Sequence, residues 1–240
     1  MIGNVPNILT LRSLQSIVSI IALFHKSGQF CNLKLTNTKD IIFSIEQINA
    51  KASAILRLAK KESLSLEADS LIKELVKTKL DILSLYRWND ILINHKYSKS
   101  LVHGDFHMEN MIFNNKAEVV YIFDFETVHF GDGIEDIIHF IIYRFINSNY
   151  NPENFKEARL FLNLYSHYEP LTAEEIKVET YCSLYMSIGS FFLEEKILKT
   201  KDLNLVKHLK WSLRRLLYFG ANIDDFINQI CNEITLGPMN

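Results

Sequence analysis

Apolar residues at helical spacing run through both ends of this chain and break off for one short β-rich stretch in the middle. That layout constrains the fold more than any other feature. Only 4 prolines and 8 glycines punctuate the 240 residues, which favours long helices over many tight turns. Thr10 can cap a helix whose apolar face is Leu11, Leu14, Ile17, Val18, Ile21 and Phe24. His25 near its end and Gly28 just beyond suit a helix C-terminus. Further helical patterns are predicted from about Lys39 to Lys61 and from about Leu64 to Arg87. After the β-rich stretch they resume over Ile137–Ile146, Asn154–Tyr168, Ala173–Leu198, Leu203–Phe219 and Ile223–Ile230.

The β-rich stretch comprises Leu101-Val102, Met111–Phe113 and Val119–Phe123, with a turn at Asn114-Asn115-Lys116 that predicts a small hairpin. Its polar residues stand out. Asp105 and Asn110 are five positions apart between apolar runs, and Asp124 ends the following strand. Phosphoryl transfer needs these residue types: one carboxylate to accept the proton of an attacking hydroxyl, and a second carboxylate with an amide oxygen to hold Mg²⁺ against phosphates. The protein-kinase catalytic loop uses the same Asp-to-Asn spacing, although Gly104 stands where protein kinases carry arginine. An alternative reads His103, Asp105 and His107 as an H-x-D-x-H transition-metal site, which would leave Asn110 and Asp124 idle.

Three segments in order, His103-Gly-Asp-Phe-His-Met-Glu-Asn110, Phe123-Asp-Phe-Glu126 and Gly131-Asp-Gly-Ile-Glu-Asp136, resemble the Brenner-type motif set of the aminoglycoside phosphotransferase and choline kinase-like family. Leu23-Phe-His25 resembles that family's pattern at the end of the first helix. The resemblance implies an α+β, predominantly helical, protein-kinase-like C-terminal lobe with a small central β-hairpin region. It implies that Asp105 is the catalytic base, and that Asn110 and Asp124 bind Mg²⁺ and through it ATP. His103 and Asp136 are expected as structural supports, bracing the catalytic loop and tying the metal loop to a helix. The activity it implies is ATP-dependent phosphorylation of a small-molecule hydroxyl on an aminoglycoside, choline or ethanolamine, or a sugar-like acceptor.

A two-lobed kinase of this type also carries a glycine-bearing phosphate loop and a strand lysine, and no strand–Gly–strand–Lys pattern precedes His103. The expected layout is therefore one C-terminal lobe over 1–240, without the N-terminal β-lobe: leading helices over 1–100, the catalytic hairpin over 101–126 and a helical substrate-side subdomain over 127–240. Met1-Ile-Gly3 resembles the hinge before such a lobe. A truncated gene, a fragment and a partner supplying the other lobe all fit, and weak or no activity alone is the consequence. The surface so exposed suggests self-association or a partner chain. The rival reading is a degenerate, non-catalytic kinase-like binding module.

Other classes find little support. A formal charge of −2 gives no basic footprint for nucleic acid and no polybasic membrane signal. Ile17–Phe24 and Ile137–Phe145 are too short to span a bilayer, and the start lacks a signal-peptide pattern. Cys31, Cys182 and Cys231 form no CxxC pair and read as buried thiols, so a cytoplasmic location is expected. Glu174, Glu175, Glu179, Glu194 and Glu195 read as a solvated helix face rather than a cation site. Tyr181, Tyr185, Phe191 and Phe192 read as core packing rather than an ammonium cage.

Overall fold

Side-chain caps open the first three helices of this computed structural model. It describes residues 9–28, 43–62, 64–93 and 100–232. Thr10 accepts from the amide of Ser13 at 3.2 Å and opens α1, Leu11–Ser27. Ser44 and Gln47 form a reciprocal capping box that opens α2, Ile45–Glu62; the start expected near Lys39 lies outside the described residues. Ser65 accepts from Ala68 N and opens α3, Leu66–Leu85, which is followed by a short helix α4, Trp88–Leu92. The expectations placed on Met1–Gly3, Cys31 and Ile41 lie outside the described residues.

The chain divides into two compact units. The first comprises Met1–Asp40, His95–Thr180 and Ile227–Asn240, and the second Ile41–Asn94 and Tyr181–Phe226. The first unit contains α1 and four short strands, β1 Ser100–Val102, β2 Met111–Phe113, β3 Val119–Ile122 and β4 His129–Gly131. The helices α5, Ile134–Asn147, and α6, Glu153–Ser166, follow. The expected hairpin is present: β2 and β3 pair antiparallel with Met111 opposite Ile122 and a bulge between Ile112 and Phe113. Its turn is closed by Asn114, whose Oδ1 accepts from the amides of Lys116 and Glu118. A second pair, β1 with β4, sets Val102 opposite His129. Leu14, Ile17 and Ile21 of α1, Ile137 and Phe140 of α5 and Phe161 of α6 form the core of this unit. The rings of Phe140 and Phe161 stack at 4.6 Å.

Two helix expectations need correction, and both turn on a glycine of the second unit. The pattern over Ala173–Leu198 is split into α7, Ala173–Gly189, and α8, Phe192–Thr200. A Cβ at Gly189 would meet the Phe43 ring, and the released carbonyl of Ser190 accepts from the Lys79 ammonium. Conversely, the gap expected between Phe219 and Ile223 is absent, and α9 runs unbroken over Val206–Cys231. Gly220 sits inside it because Ile82 of α3 occupies the place of a side chain, 2.7 Å from the position of a Cβ.

Glu179 and Glu194 are also not on a solvated face, since both are buried. Glu194 is ion-paired with Lys79 at 2.5 Å, and burial holds the Lys79 amine below its usual pKa. Tyr181 packs edge-to-face on Tyr86 and Trp88, and Tyr185 packs tilted against Trp88. Tyr181, Tyr185 and Phe191 are buried as expected, whereas Phe192 is exposed and does not join the core. The hydroxyls of Tyr181 and Tyr185 donate to Asp224 and to the Phe43 carbonyl, respectively. No described helix is long and apolar enough to cross a membrane.

Candidate active site

Every residue singled out in the central motifs lies in the first unit, between β1 and the first turn of α5. The loop after β1 turns sharply at Gly104, whose φ of 80° is left-handed. A Cβ there would lie 2.7 Å from the carbonyl oxygen of Thr127, so glycine is required on steric grounds as well. Asp136, in the first turn of α5, is fully buried and holds the loop by its backbone. Its Oδ2 accepts from His103 N at 2.7 Å and its Oδ1 from Gly104 N at 2.8 Å. The same Oδ2 lies 3.0 Å from His25 Nε2, and His25 Nδ1 lies 2.7 Å from the hydroxyl of Tyr165. With the carboxylate as an obligate acceptor, His25 carries its hydrogen on Nε2 and Tyr165 donates to Nδ1. Burial in turn pushes the Tyr165 phenol well above its usual pKa.

His103 is buried as well, with Nε2 3.0 Å from the carbonyl of Phe123. Asp105 is half-buried. Asn110 donates from Nδ2 to the Asp105 carbonyl at 2.9 Å and to its Oδ2 at 3.2 Å. The structure therefore brings the first two members of the expected trio into direct contact. Asp124 is brought toward them by strand register: Met111 pairs with Ile122, and Phe123 N donates to the Asn110 carbonyl at 3.1 Å. Asp124 then adopts a left-handed conformation, φ 67° and ψ 63°, which Asp tolerates better than most residues. Its exposed side chain begins the single helical turn Phe125–Thr127.

Two histidines flank Asp105. His107 Nε2 is 3.4 Å from Oδ2, and His139 Nε2, from α5, is 3.4 Å from Oδ1. His107 first and His139 second hold the Asp105 carboxyl far below the usual carboxylate range, against partial burial. Such a group stays anionic and is a weak ground-state base, suited to orienting a hydroxyl and taking its proton late in transfer. His107 was singled out only as a metal ligand, and neither its contact with Asp105 nor that of His139 was read from the sequence. No local motif links residues 105 and 139, and only the packing of α5 under the loop joins them.

The donor set fits a hard cation. Both Asp105 acceptors demand the NH₂ end of Asn110, so the amide presents Oδ1 as its remaining polar atom, while Asp124 adds an exposed carboxylate. The transition-metal alternative fares worse. His103 faces the Phe123 carbonyl with Nε2 and the amide of Asp105 with Nδ1. Among the described residues no group of three or more His, Cys, Asp or Glu is placed to hold a metal ion.

Comparison with known proteins agrees with the motif reading. Residues 40–172 match the phosphotransferase enzyme family, APH. An aminoglycoside phosphotransferase from Alicyclobacillus acidocaldarius subsp. acidocaldarius DSM 446 superposes with a TM-score of 0.58 at 16% identity, over 94% of this chain and 69% of that one. The APH(2'')-IIa structure solved as a streptomycin–ATP ternary complex gives a TM-score of 0.39 at 18% identity, over 92% of this chain and 66% of that one. ADP-bound APH(2'')-Ib gives 0.37 at 20%, over 87% and 66%. No curated protein sequence matches. This chain thus spans about two thirds of the length of the solved chains it resembles. The first superposition supports the helical α+β, kinase-like C-terminal-lobe fold, and the match over more than half of the sequence shows that the chain belongs to the phosphotransferase enzyme family.

Proposed function

We propose that this chain carries the catalytic site for transfer of the γ-phosphoryl group of ATP to a hydroxyl of a small molecule. The observation that supports it most directly is the Asn110 amide bound to both the carbonyl and the carboxylate of Asp105. One contact orients the proposed base and leaves Oδ1 of the proposed metal ligand free of that pairing. Asp105 would align the acceptor hydroxyl and take its proton as the new O–P bond forms. Asn110 Oδ1 and the Asp124 carboxylate would hold Mg²⁺, which when bound neutralises phosphate charge. Asp136 would keep the loop backbone still by anchoring the amides of His103 and Gly104. The acceptor class is a small alcohol: an aminoglycoside, choline or ethanolamine, or a sugar-like molecule.

The test is calorimetric titration with Mg-ATP, followed by transfer of labelled γ-phosphate to a panel of such acceptors. Saturable binding lost in Asp124→Ala, with transfer reduced about 10²–10⁴-fold in Asp105→Asn, is the expected result. Unchanged turnover in Asp105→Asn removes the proposed base. Absence of Mg-ATP binding even when an N-terminal lobe is supplied replaces this reading with a non-catalytic binding module.

A further inference from the structure

The loop from His103 to Asn110 does not hold Asp105 by itself. Helix α5 presents His139 and Tyr143 one turn apart, so both lie on the same face. The Tyr143 ring stacks on His107 with centroids 4.4 Å apart and planes at 10°. The His139 ring lies 6.2 Å from each of those two rings. Each carboxylate oxygen therefore meets one imidazole: loop residue His107, backed by Tyr143, toward Oδ2 and His139 of α5 toward Oδ1. Asn110 and His107 both engage Oδ2, so His139 addresses the oxygen that they do not.

The His139 contact is unfinished. Its Nε2 is buried, yet it makes no well-directed hydrogen bond, and Asp105 Oδ1 stands at 3.4 Å. At that separation the contact is longer than an ordinary N–H···O hydrogen bond, and a small ring rotation would close it. A buried ring nitrogen without a good partner is uncommon and calls for an explanation. Hydrogen bonds of a substrate-free site are often long and tighten when the reacting complex forms.

We propose that His139 is a positioning residue for Asp105. It limits rotation of the carboxylate and closes onto Oδ1 when an acceptor hydroxyl engages. This rests on the phosphotransferase reading of Asp105, and the experiment separates the two.

In ¹H–¹³C spectra of the histidine rings at fixed pH, Asp105→Asn is expected to shift the signals of both His107 and His139 and to leave those of His25 unmoved. An unmoved His139 signal overturns the inference whether or not the chain transfers phosphate. In the transfer assay, His139→Phe is expected to lower kcat by up to about 10²-fold, the effect of a misplaced reacting group, with KM for Mg-ATP within about twofold. His139→Gln, whose amide can donate toward Oδ1, should recover part of that loss. Equal turnover in His139→Phe and the parent chain overturns the proposal. So does a fall in kcat that follows a matching fall in melting temperature in both variants.

Discussion

Replacing Asp136 with alanine should unfasten the catalytic loop from the helix beneath it. The wild-type carboxylate is fully buried and accepts three hydrogen bonds, from His103 N at 2.7 Å, Gly104 N at 2.8 Å and His25 Nε2 at 3.0 Å. Alanine leaves two backbone amides and the Nε2 side of one imidazole with no partner. Each unsatisfied buried group costs about 1–3 kcal/mol, and relaxation or an entering water recovers part of that. The expected loss is about 3–5 kcal/mol, in line with breaking a buried charged contact from one side. For a chain of this size that corresponds to a fall in melting temperature of roughly 6–20 °C. Urea unfolding followed by circular dichroism at 222 nm reads the magnitude. Amide hydrogen exchange at His103 and Gly104 reads the location, because the two units need not unfold together. Asp136→Asn should fall between: one end of the amide still accepts, while the other turns an N–H toward a donor. A loss under about 0.5 kcal/mol in Asp136→Ala, with exchange unchanged at both amides, would refute the anchoring argument.

Gly104→Ala should cost about 1–3 kcal/mol, because a positive φ and a Cβ 2.7 Å from the Thr127 carbonyl act together; thermal melts within a degree of the parent would contradict it. Lys79→Met should destabilise by about 3–5 kcal/mol by stranding buried Glu194, whereas Lys79→Met combined with Glu194→Leu should recover most of the loss in the same urea assay. The phenol of Tyr143 is pushed up to about 12, mainly by burial and next by its hydrogen bond with Glu109. Its raised folded value means a stabilising contribution that is complete below pH 10 and lost as pH rises through about 12. An alkaline absorbance titration at 295 nm of Tyr143→Phe should therefore lack a step near 12, and a missing step near 10 instead would sink that assignment.

Much of this architecture was legible in local sequence. The Thr10 cap and the apolar faces of α1 and α5 act within a few residues of the chain. The hairpin turn at Asn114 does so too. The Ser44–Gln47 and Ser65 caps are equally local but were not read from the sequence. The order of the three motifs likewise pointed to phosphoryl-transfer chemistry before any coordinate was known. Helix boundaries at Gly189 and Gly220 went the other way, because the same residue type ends one helix and sits inside another. Phe43 packs at the first and Ile82 at the second, and neither partner is visible from the helix's own sequence.

By itself, then, the sequence determined the helical class, the central hairpin and the family. Tertiary structure decided what surrounds them. It closed β1 against β4, set Asp136 under two amides 32 and 33 residues away, aimed His139 at Asp105 and buried Glu194 against a lysine 115 residues distant. The division has a physical cause. Propensity, capping and turn chemistry are short-range and leave a mark in neighbouring residues. The partner of a buried charge or ring is chosen only when the whole chain packs.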